Sequence, residues 1–233
     1  VENALDAGAA HVEVHAEQGG VALLRVVDDG GGIAPDELPL ALERHATSKI
    51  ATLDDLERIG SLGFRGEALP SIGSVARLTL TSRRAPATHG LRIAVDGGAA
   101  SAPAPAPHPP GTTVEVRDLF YNVPARRKFV RSPATEFQHV EKMLARLALS
   151  RHDVGFLLTH NGRRAFAVEP AASREAEERR LAELLDPEFV AGCLHVAHEA
   201  VGLRLHGWLG LPTHARGQPD RQYVFVNGRT VRD

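Results

Sequence analysis

Two aspartates and three glycines follow directly on a short apolar run, and this stretch restricts the fold more than any other. Residues 21–27 read Val-Ala-Leu-Leu-Arg-Val-Val, and residues 28–33 read Asp-Asp-Gly-Gly-Gly-Ile. A carboxylate at the end of a buried strand needs hydrogen-bond donors, and glycines leave no side chain between the backbone and a ligand. The pattern predicts a strand that ends at a binding site. The other interpretation is a tight turn whose acids lie in water.

The preceding residues place this stretch at the far end of a hairpin. Residues 1–8 are predicted to be the last turns of a helix, with Asn3 and Ala7 on one face. Residues 11–15 alternate between polar and apolar side chains, a Gly-Gly pair turns the chain, and residues 21–27 return. We therefore expect a helix and a two-stranded hairpin to meet at the Asp-Gly stretch.

A second glycine-bearing loop runs into a predicted helix. Residues 61–69 read Ser-Leu-Gly-Phe-Arg-Gly-Glu-Ala-Leu, with the helix beginning near Gly66. Glycines before a helix leave backbone N–H groups free to hold a phosphate. Glycine can equally well cap or turn the chain here, so this loop alone does not establish phosphate binding.

The rest of the chain alternates between strands and helices. Helices are predicted at residues 35–44 and 136–149, and strands at residues 77–82, 111–116, 154–158, 165–168, 203–209 and 222–226. Residues 97–107, rich in Ala and Pro, predict a flexible loop or a polyproline spacer. Polar residues 171–180 precede the apolar residues 181–185 and suggest a change of domain.

A basic cluster lies between aromatic residues at positions 119–129, Leu-Phe-Tyr-Asn-Val-Pro-Ala-Arg-Arg-Lys-Phe. It could contact DNA phosphate. We expect instead that its aromatic side chains pack and that its charges lie in water.

The composition excludes several classes of protein. The 27 Lys and Arg balance 29 Asp and Glu, so no overall charge indicates a nucleic acid or membrane partner. The single cysteine, Cys193, rules out a disulfide framework and a thiolate zinc site, and favours a reducing compartment. No apolar run is long enough to span a membrane, and the twelve histidines show no metal-binding pair on a predicted helix. Both ends of the chain are expected to be cuts in a longer protein.

Five motifs together carry a family resemblance. Residues 2–9 (Glu-Asn-Ala-Leu-Asp-Ala-Gly-Ala), 28–33, 44–49 (Arg-His-Ala-Thr-Ser-Lys), 63–69 (Gly-Phe-Arg-Gly-Glu-Ala-Leu) and 111–113 (Gly-Thr-Thr) resemble the N-terminal ATPase region of the MutL family of DNA mismatch repair proteins. That family belongs to the GHKL superfamily, with gyrase-type topoisomerases, histidine kinases and a heat-shock chaperone. Residues 120–129 point to MutL in particular.

The resemblance implies an α+β fold. Residues 1–172 would form a GHKL (Bergerat-type) domain, a two-layer α/β sandwich with a mixed sheet, cut at its N-terminus. Residues 173–233 would begin a second, ribosomal-S5-like α+β domain, cut at its C-terminus.

The resemblance also implies a site for ATP and Mg²⁺. Asn3 would ligate the Mg²⁺, an ion that prefers oxygen ligands. Asp28 would accept the adenine amino group, with Gly32 leaving room for the base and Thr112 hydrogen-bonding nearby. The whole implied ATP site comprises Asn3, Ala7, Asp28, Gly32, Ile33, Thr47, Ser48, Lys49, Leu62, Gly63, Phe64, Arg65, Gly66, Glu67 and Thr112, in which residues 47–49 reach phosphates and residues 62–67 form a lid.

Departures from the family pattern affect the implied activity. The family's general base is a Glu four residues before Asn3, which would precede Val1, and a lysine for the γ-phosphate would follow Asp233. The resemblance therefore implies a weak ATPase in the full-length protein, no catalytic residue in this chain and an inactive fragment. Asp29 stands where the family usually has Asn; its charge should weaken nucleotide binding unless it faces outward.

The implied function is an ATP-dependent coordinator of mismatch repair that binds and slowly hydrolyses ATP as a clamp switch between mismatch recognition and excision. Its implied partners are a second copy, through the N-terminal region on ATP binding and through a missing C-terminal region, the mismatch-recognition protein MutS, weakly and non-specifically bound DNA, and a downstream nuclease or helicase. The implied location is cytoplasmic and nucleoid-associated, without a membrane partner. Two alternatives stay open: a DNA-binding module with a vestigial nucleotide site, and another GHKL ATPase such as a topoisomerase subunit.

Overall fold

The strands of a nine-stranded mixed sheet lie between His11 and Val168. The computed structural model describes residues 1–43, 66–211 and 222–231. The strands of the sheet are β1 (His11–Glu17), β2 (Leu23–Asp28), β3 (Arg77–Arg83), β4 (Gly90–Asp96), β5 (Ala99–Ala100), β6 (Ala104–Ala106), β7 (Gly111–Arg117), β8 (Gly155–His160) and β9 (Arg163–Val168). They lie in the order β5-β4-β3-β7-β2-β1-β8-β9, with β6 also paired to β4. β1 and β8 run parallel and the other pairs antiparallel, which confirms the predicted mixed sheet.

Seven α-helices, a short 3-10 helix (Gln18–Gly20) and two small hairpins complete the described part of the chain. The helices are α1 (Glu2–Asp6), α2 (Glu37–Leu40), α3 (Ala68–Gly73), α4 (Pro124–Arg127), α5 (Pro133–Ser150), α6 (Arg174–Leu184) and α7 (Pro187–Ala191). The hairpins pair β10 (Cys193–Ala200) with β11 (Leu203–Gly210), and β12 (Val224–Val226) with β13 (Arg229–Val231). None of the helices in the described ranges is long and apolar enough to cross a membrane.

The long helix α5 packs on one half of the sheet. Along β1, Val12 and Val14 are buried and their neighbours face outward, as the sequence alternation predicts. These side chains belong to one apolar cluster with Leu144 and Ala148 of α5 and Leu5 of α1. The cluster fixes α1 next to β1, so Asn3 and the end of β2 belong to one packed unit.

A second apolar cluster covers the other half of the sheet. It contains Leu78 and Leu80 of β3, Ile93 of β4, Val116 of β7 and Leu38 of α2. The helix predicted at residues 35–44 is shorter than expected. Only Glu37–Leu40 is helical, flanked by turns, and Arg44 lies outside the described residues.

The prediction of a flexible loop at residues 97–107 is wrong. β5 and β6 lie within this segment and both pair with β4. The main-chain N–H of Gly98 donates to the carbonyl of Gly73 at 2.9 Å, and that of Ser101 donates to Ala94 at 2.8 Å. The sequence predicts a loop because residues 97–107 lack large apolar side chains. Backbone hydrogen bonds to the edge of the sheet hold the segment instead.

The basic cluster at residues 119–129 departs from expectation at one aromatic residue. Phe129 is 84% exposed and does not pack, whereas Phe120 and Tyr121 are half-buried. Arg126 and Arg127 in α4 are exposed, as predicted for charges that lie in water.

Residues 171–180, whose polar character suggests a change of domain, are largely helical. Helix α6 begins after Ser173, whose Oγ accepts a hydrogen bond from the N–H of Ala176. Leu181 is buried and Leu184 packs on the α5 cluster. The first turns of the segment after residue 172 therefore pack against the sheet domain. The domain boundary at residue 172 stays a prediction.

Candidate functional site

Asp28 is a buried carboxylate at the carboxyl end of β2. In the sheet register it lies between Val12 of β1 and Thr112 of β7. Its Oδ1 accepts hydrogen bonds from the N–H of Gly30 at 3.0 Å and of Thr112 at 3.2 Å. Desolvation by burial raises the pKa of Asp28 above its ordinary value of 3.8, although the Gly30 and Thr112 N–H groups act in the opposite direction.

The second carboxylate oxygen of Asp28 has a different environment from the first. No described residue donates a hydrogen bond to Oδ2. An ionised carboxylate has about four lone-pair sites, and Oδ2 is not among the fully enclosed polar atoms of the described residues, so a ligand or water can reach it. Asp28 can therefore accept a donor from a ligand or a water without breaking a bond within the protein.

Ser82 and Thr112 extend the polar site behind Asp28. The Ser82 hydroxyl donates to the carbonyl of Gly111 at 2.9 Å and accepts from the N–H of Ile33 at 2.8 Å. It also lies 2.9 Å from the Thr112 hydroxyl. Because Ser82 has one proton and gives it to Gly111, Thr112 must donate to Ser82. The lone pairs of the Thr112 hydroxyl are then left to accept from another donor.

Two glycines allow this part of the backbone to pack closely. Gly32 has φ +70°, and a Cβ there would collide with the carbonyl group of Arg83. Gly111 has φ +123°, and a Cβ there would collide with the carbonyl of Asp28. Both positions need glycine for conformation and for space. Gly32 thus has a role within the protein beside the one that the resemblance implies toward the base.

The end of α1 contacts the Asp-Gly loop directly. The N–H of Gly31 donates to the carbonyl of Ala7 at 3.0 Å, and a Cβ on Gly30 would lie 3.0 Å from the same oxygen. Asn3 and Ala7 are both exposed, on the helix whose end holds the loop. One loop therefore joins the helix that carries Asn3 to the strand that ends at Asp28.

Proteins of known family share this sequence and this fold. Residues 1–103 match the model of the histidine kinase-, DNA gyrase B- and HSP90-like ATPases, and residues 181–233 match that of the DNA mismatch repair protein C-terminal domain. A solved structure of the Aquifex aeolicus MutL ATPase domain complexed with ADP is 31% identical, with a TM-score of 0.73, over 100% of this chain and 79% of that one. The chain belongs to the MutL family.

Curated MutL proteins agree with this assignment. The MutL of Azotobacter vinelandii is 58% identical over 234 residues, and that of Xanthomonas oryzae pv. oryzae strain PXO99A is 56% identical over 233 residues. Each match covers 100% of this chain but only 36% and 37% of the relative, respectively. The predicted family and the predicted GHKL fold are confirmed.

About half of the residues implied for the MutL nucleotide site are described. The structure brings together Ala7, Asp28, Gly32, Ile33 and Thr112 around the Asp-Gly loop, with Asn3 on the adjoining helix. Gly66 (φ +61°) and Glu67, the N-cap residue of α3, precede that helix. Thr47, Ser48, Lys49, Leu62, Gly63, Phe64 and Arg65 lie outside the described residues.

The implied Mg²⁺ agrees with the chemistry of α1. The described residues contain no group of three or more His, Cys, Asp or Glu that could hold a metal ion on its own. Mg²⁺ bound with a nucleotide usually takes only one or two protein oxygens and completes its shell with phosphates and waters. The exposed amide of Asn3 can supply one such oxygen, so the residues present fit a nucleotide-bound Mg²⁺.

Sequence reasoning missed Ser82, although the sequence carries a signal for it. On β3 the side chains of Leu78, Leu80 and Ser82 alternate onto one buried face. A serine in line with two buried leucines must find partners there, since a buried hydroxyl is costly without them. The alternation by itself therefore marks Ser82 as a member of a polar network.

Proposed function

We propose that this chain is the nucleotide-binding part of a MutL-type coordinator of DNA mismatch repair, and that Asp28 recognises the adenine of ATP. The observation that carries the proposal is the buried carboxylate of Asp28, with one oxygen held by two N–H groups and the other without a donor from the described residues. The ADP complex of the related Aquifex aeolicus domain supports it.

Recognition of adenine follows from the direction of the hydrogen bonds. An ionised carboxylate only accepts, and the 6-amino group of adenine donates. Asp28 Oδ2 would accept from that amino group while Oδ1 keeps its bonds to Gly30 and Thr112. The Thr112 hydroxyl, which donates to Ser82, could accept from the amino group or from a bridging water.

The phosphates would lie toward α1 and the two segments at residues 47–49 and 62–67. Asn3 would hold Mg²⁺, which offsets phosphate charge when it is bound. Thr47, Ser48 and Lys49 would reach the phosphates. Backbone N–H groups of the segment that ends at Glu67 would hold the γ-phosphate, as glycine-rich segments before helices do.

The nucleotide would act as a switch in the whole protein. ATP binding would order the lid and bring the N-terminal regions of two copies together, and slow hydrolysis would release them. This cycle would link a mismatch-recognition protein of the MutS type to a downstream nuclease or helicase, on DNA that is held weakly and non-specifically. Because the chain spans about 37% of its curated relatives, these activities are proposed for the longer protein. The proposed location is the cytoplasm, near the nucleoid.

A pair of nucleotides that differ at one group tests adenine recognition. Purine riboside diphosphate lacks only the 6-amino group of ADP, so the bound base would cover Oδ2 of Asp28 without giving it a donor. We expect calorimetric titration to show about 10- to 100-fold weaker binding than for ADP, the equivalent of one unpaired buried acceptor. Equal affinities would remove Asp28 from adenine recognition. Absence of ADP binding would favour a vestigial site.

Phosphate release tests the hydrolysis proposal separately. The measurement uses the chain extended at both ends to the length of its relatives, with Mg²⁺ and ATP. Slow release that depends on protein concentration supports a dimeric ATPase switch, and no release above background contradicts it.

A further inference from the structure

Asp29 adjoins the adenine-site residue Asp28 but has different hydrogen-bond partners. Its Oδ1 accepts from the N–H groups of both Ala10 and His11, each at 2.8 Å. Its Oδ2 lies 3.0 Å from Nδ1 of His11. The carboxylate is therefore bound by the segment between α1 and β1 and faces away from the partners of Asp28. This settles the orientation left open by the sequence: Asp29 faces outward.

The Asp-Gly loop is attached to α1 and to the residues that follow α1 by two separate sets of hydrogen bonds. On one side, Asp29 binds the chain where it leaves α1 and enters β1. On the other, the N–H of Gly31 binds the carbonyl of Ala7 at the end of α1. Asp29 and Gly31 thus hold the same loop to α1 and its exit at two points, two residues apart.

We propose that Asp29 is a positioning residue for nucleotide binding: it fixes the distance between the helix that carries Asn3 and the loop that carries Asp28. The inference rests on the proposed function, because those two residues are assigned there to the phosphate and adenine ends of one ligand. A nucleotide that contacts both residues binds tightly only if the helix and the loop already have the right separation. If only about one tenth of the protein molecules have that separation, the measured affinity is about tenfold weaker.

The chemistry of Asp29 indicates which substitution should preserve this role. Desolvation raises its pKa, but hydrogen bonds from His11 and Ala10 outweigh that effect, so the net pKa of Asp29 is lowered and it is ionised at neutral pH. An asparagine in the same place could still accept both N–H groups through its oxygen. Its amide would donate to Nδ1 of the other His11 tautomer. Asp29→Asn therefore keeps the attachment, and Asp29→Ala removes it.

Three variants of this chain test the proposal by ADP titration. Asp29→Ala should weaken ADP binding by at least about tenfold, and Asp29→Asn should stay within about threefold of the original chain. Asp96→Ala is the matched control: it removes a carboxylate that binds Tyr121 and Arg77 at the far end of the same sheet. It should leave ADP affinity unchanged, even if it lowers the unfolding temperature.

Amide hydrogen exchange without nucleotide gives an independent measurement. Asp29→Ala should speed exchange at His11 and Gly31, and Asp29→Asn should not. Retained ADP affinity in Asp29→Ala, or an equal loss in Asp29→Asn, would overturn the positioning role. If the original chain does not bind ADP, the proposed function fails, whereas unchanged exchange in Asp29→Ala would overturn this inference alone.

Discussion

The hydroxyl oxygens of Ser82 and Thr112 lie 2.9 Å apart on adjacent strands, and the strand register places both residues in one row across the sheet with Asp28. Ser82 also accepts from the N–H of Ile33 and donates to the carbonyl of Gly111, so it joins the Asp-Gly loop to both β3 and β7. The three buried polar residues Asp28, Ser82 and Thr112 are thereby linked by hydrogen bonds. The two hydroxyls fix the backbone around the proposed adenine site.

We expect Ser82→Ala to destabilise the protein by about 1–3 kcal/mol, since the Ile33 N–H and the Gly111 carbonyl would lose their shared partner in a buried site. Urea unfolding measures this loss. Ser101→Ala is the control: Ser101 makes the same kinds of bond to backbone groups at an exposed position, where water can replace them. Equal losses in the two variants would mean that burial of the Ser82 network does not matter.

We expect Asp28→Asn to abolish ADP binding without unfolding the protein. The asparagine oxygen can still accept from Gly30 and Thr112, so the loop keeps its bonds. The N–H₂ group of the asparagine would then face the 6-amino group of adenine, and two donors cannot form a hydrogen bond. Removal of a buried negative charge should also leave stability equal or higher at neutral pH. Calorimetry and urea unfolding together check this, and full ADP affinity in the folded variant would contradict it.

The sequence predicts those parts of the fold that depend on side-chain periodicity and turns. The β1–β2 hairpin and the turn at Asn161 follow from alternation and turn chemistry, and both are present. The end of β2 at Asp28 is also predicted, because glycine and carboxylate patterns are local. The apolar periodicity of residues 136–149 correctly predicts helix α5. The helix begins at Pro133, three residues earlier than predicted, because Ser132 caps it.

Features that depend on distant backbone groups are not predictable in this way. Arg180 ends a polar segment that gives no sign of burial in the sequence, yet its partners are carbonyls 11 to 32 residues away. β5 and β6 pair through their backbones, and their alanines and prolines carry no periodic signal. For the site, Asp28 and Thr112 follow from motifs, whereas the bonds of Asp29 to Ala10 and His11 depend on the packed loop.

We expect ADP affinity to fall as the pH is lowered toward the raised pKa of Asp28. Oδ1 already accepts two N–H groups, so a proton on Asp28 would lie on Oδ2 and turn a donor toward the adenine amino group. Desolvation keeps the pKa of Asp28 above 3.8 in the folded state. The pKa of Asp28 is higher in the folded than in the unfolded state. Its ionisation therefore lowers the free energy of unfolding as the pH rises through the window between those two pKa values. Acidification in the window should thus weaken binding while the contribution of Asp28 to stability increases.

The Asp29→Asn variant separates this effect from titration of the neighbouring carboxylate. It keeps Asp28 but removes a neighbouring charge that helps to raise the pKa of Asp28, so the loss of ADP affinity on acidification should persist and move to lower pH. The measurement is calorimetry over a pH series, with circular dichroism to confirm folding at each point. An affinity that does not change across the window would show that the charge of Asp28 plays no part.

Arg180 should be among the costliest residues to replace in the described part of the chain. It is 4% exposed, and its guanidinium donates to the carbonyls of Ala148, Arg151 and Glu169 at 2.6 to 3.2 Å. Burial lowers its pKa to about 10, so it stays charged at neutral pH. It therefore caps the end of α5 and ties α6 to the sheet domain through charge-assisted bonds.

We expect Arg180→Met, which keeps the apolar stem but not the donors, to lower the free energy of unfolding by about 3 kcal/mol. Each buried carbonyl left without a donor costs about 1–3 kcal/mol, and water can reach some of the three. Arg180→Lys should recover only part, because one ammonium cannot reproduce the planar set of donors. Arg179→Met, at an exposed neighbouring position, should change stability by less than about 0.5 kcal/mol. If urea unfolding shows the same small change for Arg180→Met as for Arg179→Met, the carbonyls at the end of α5 do not depend on Arg180. The packing of Leu181 and Leu184 and the Glu177–His152 pair then suffice to hold α6.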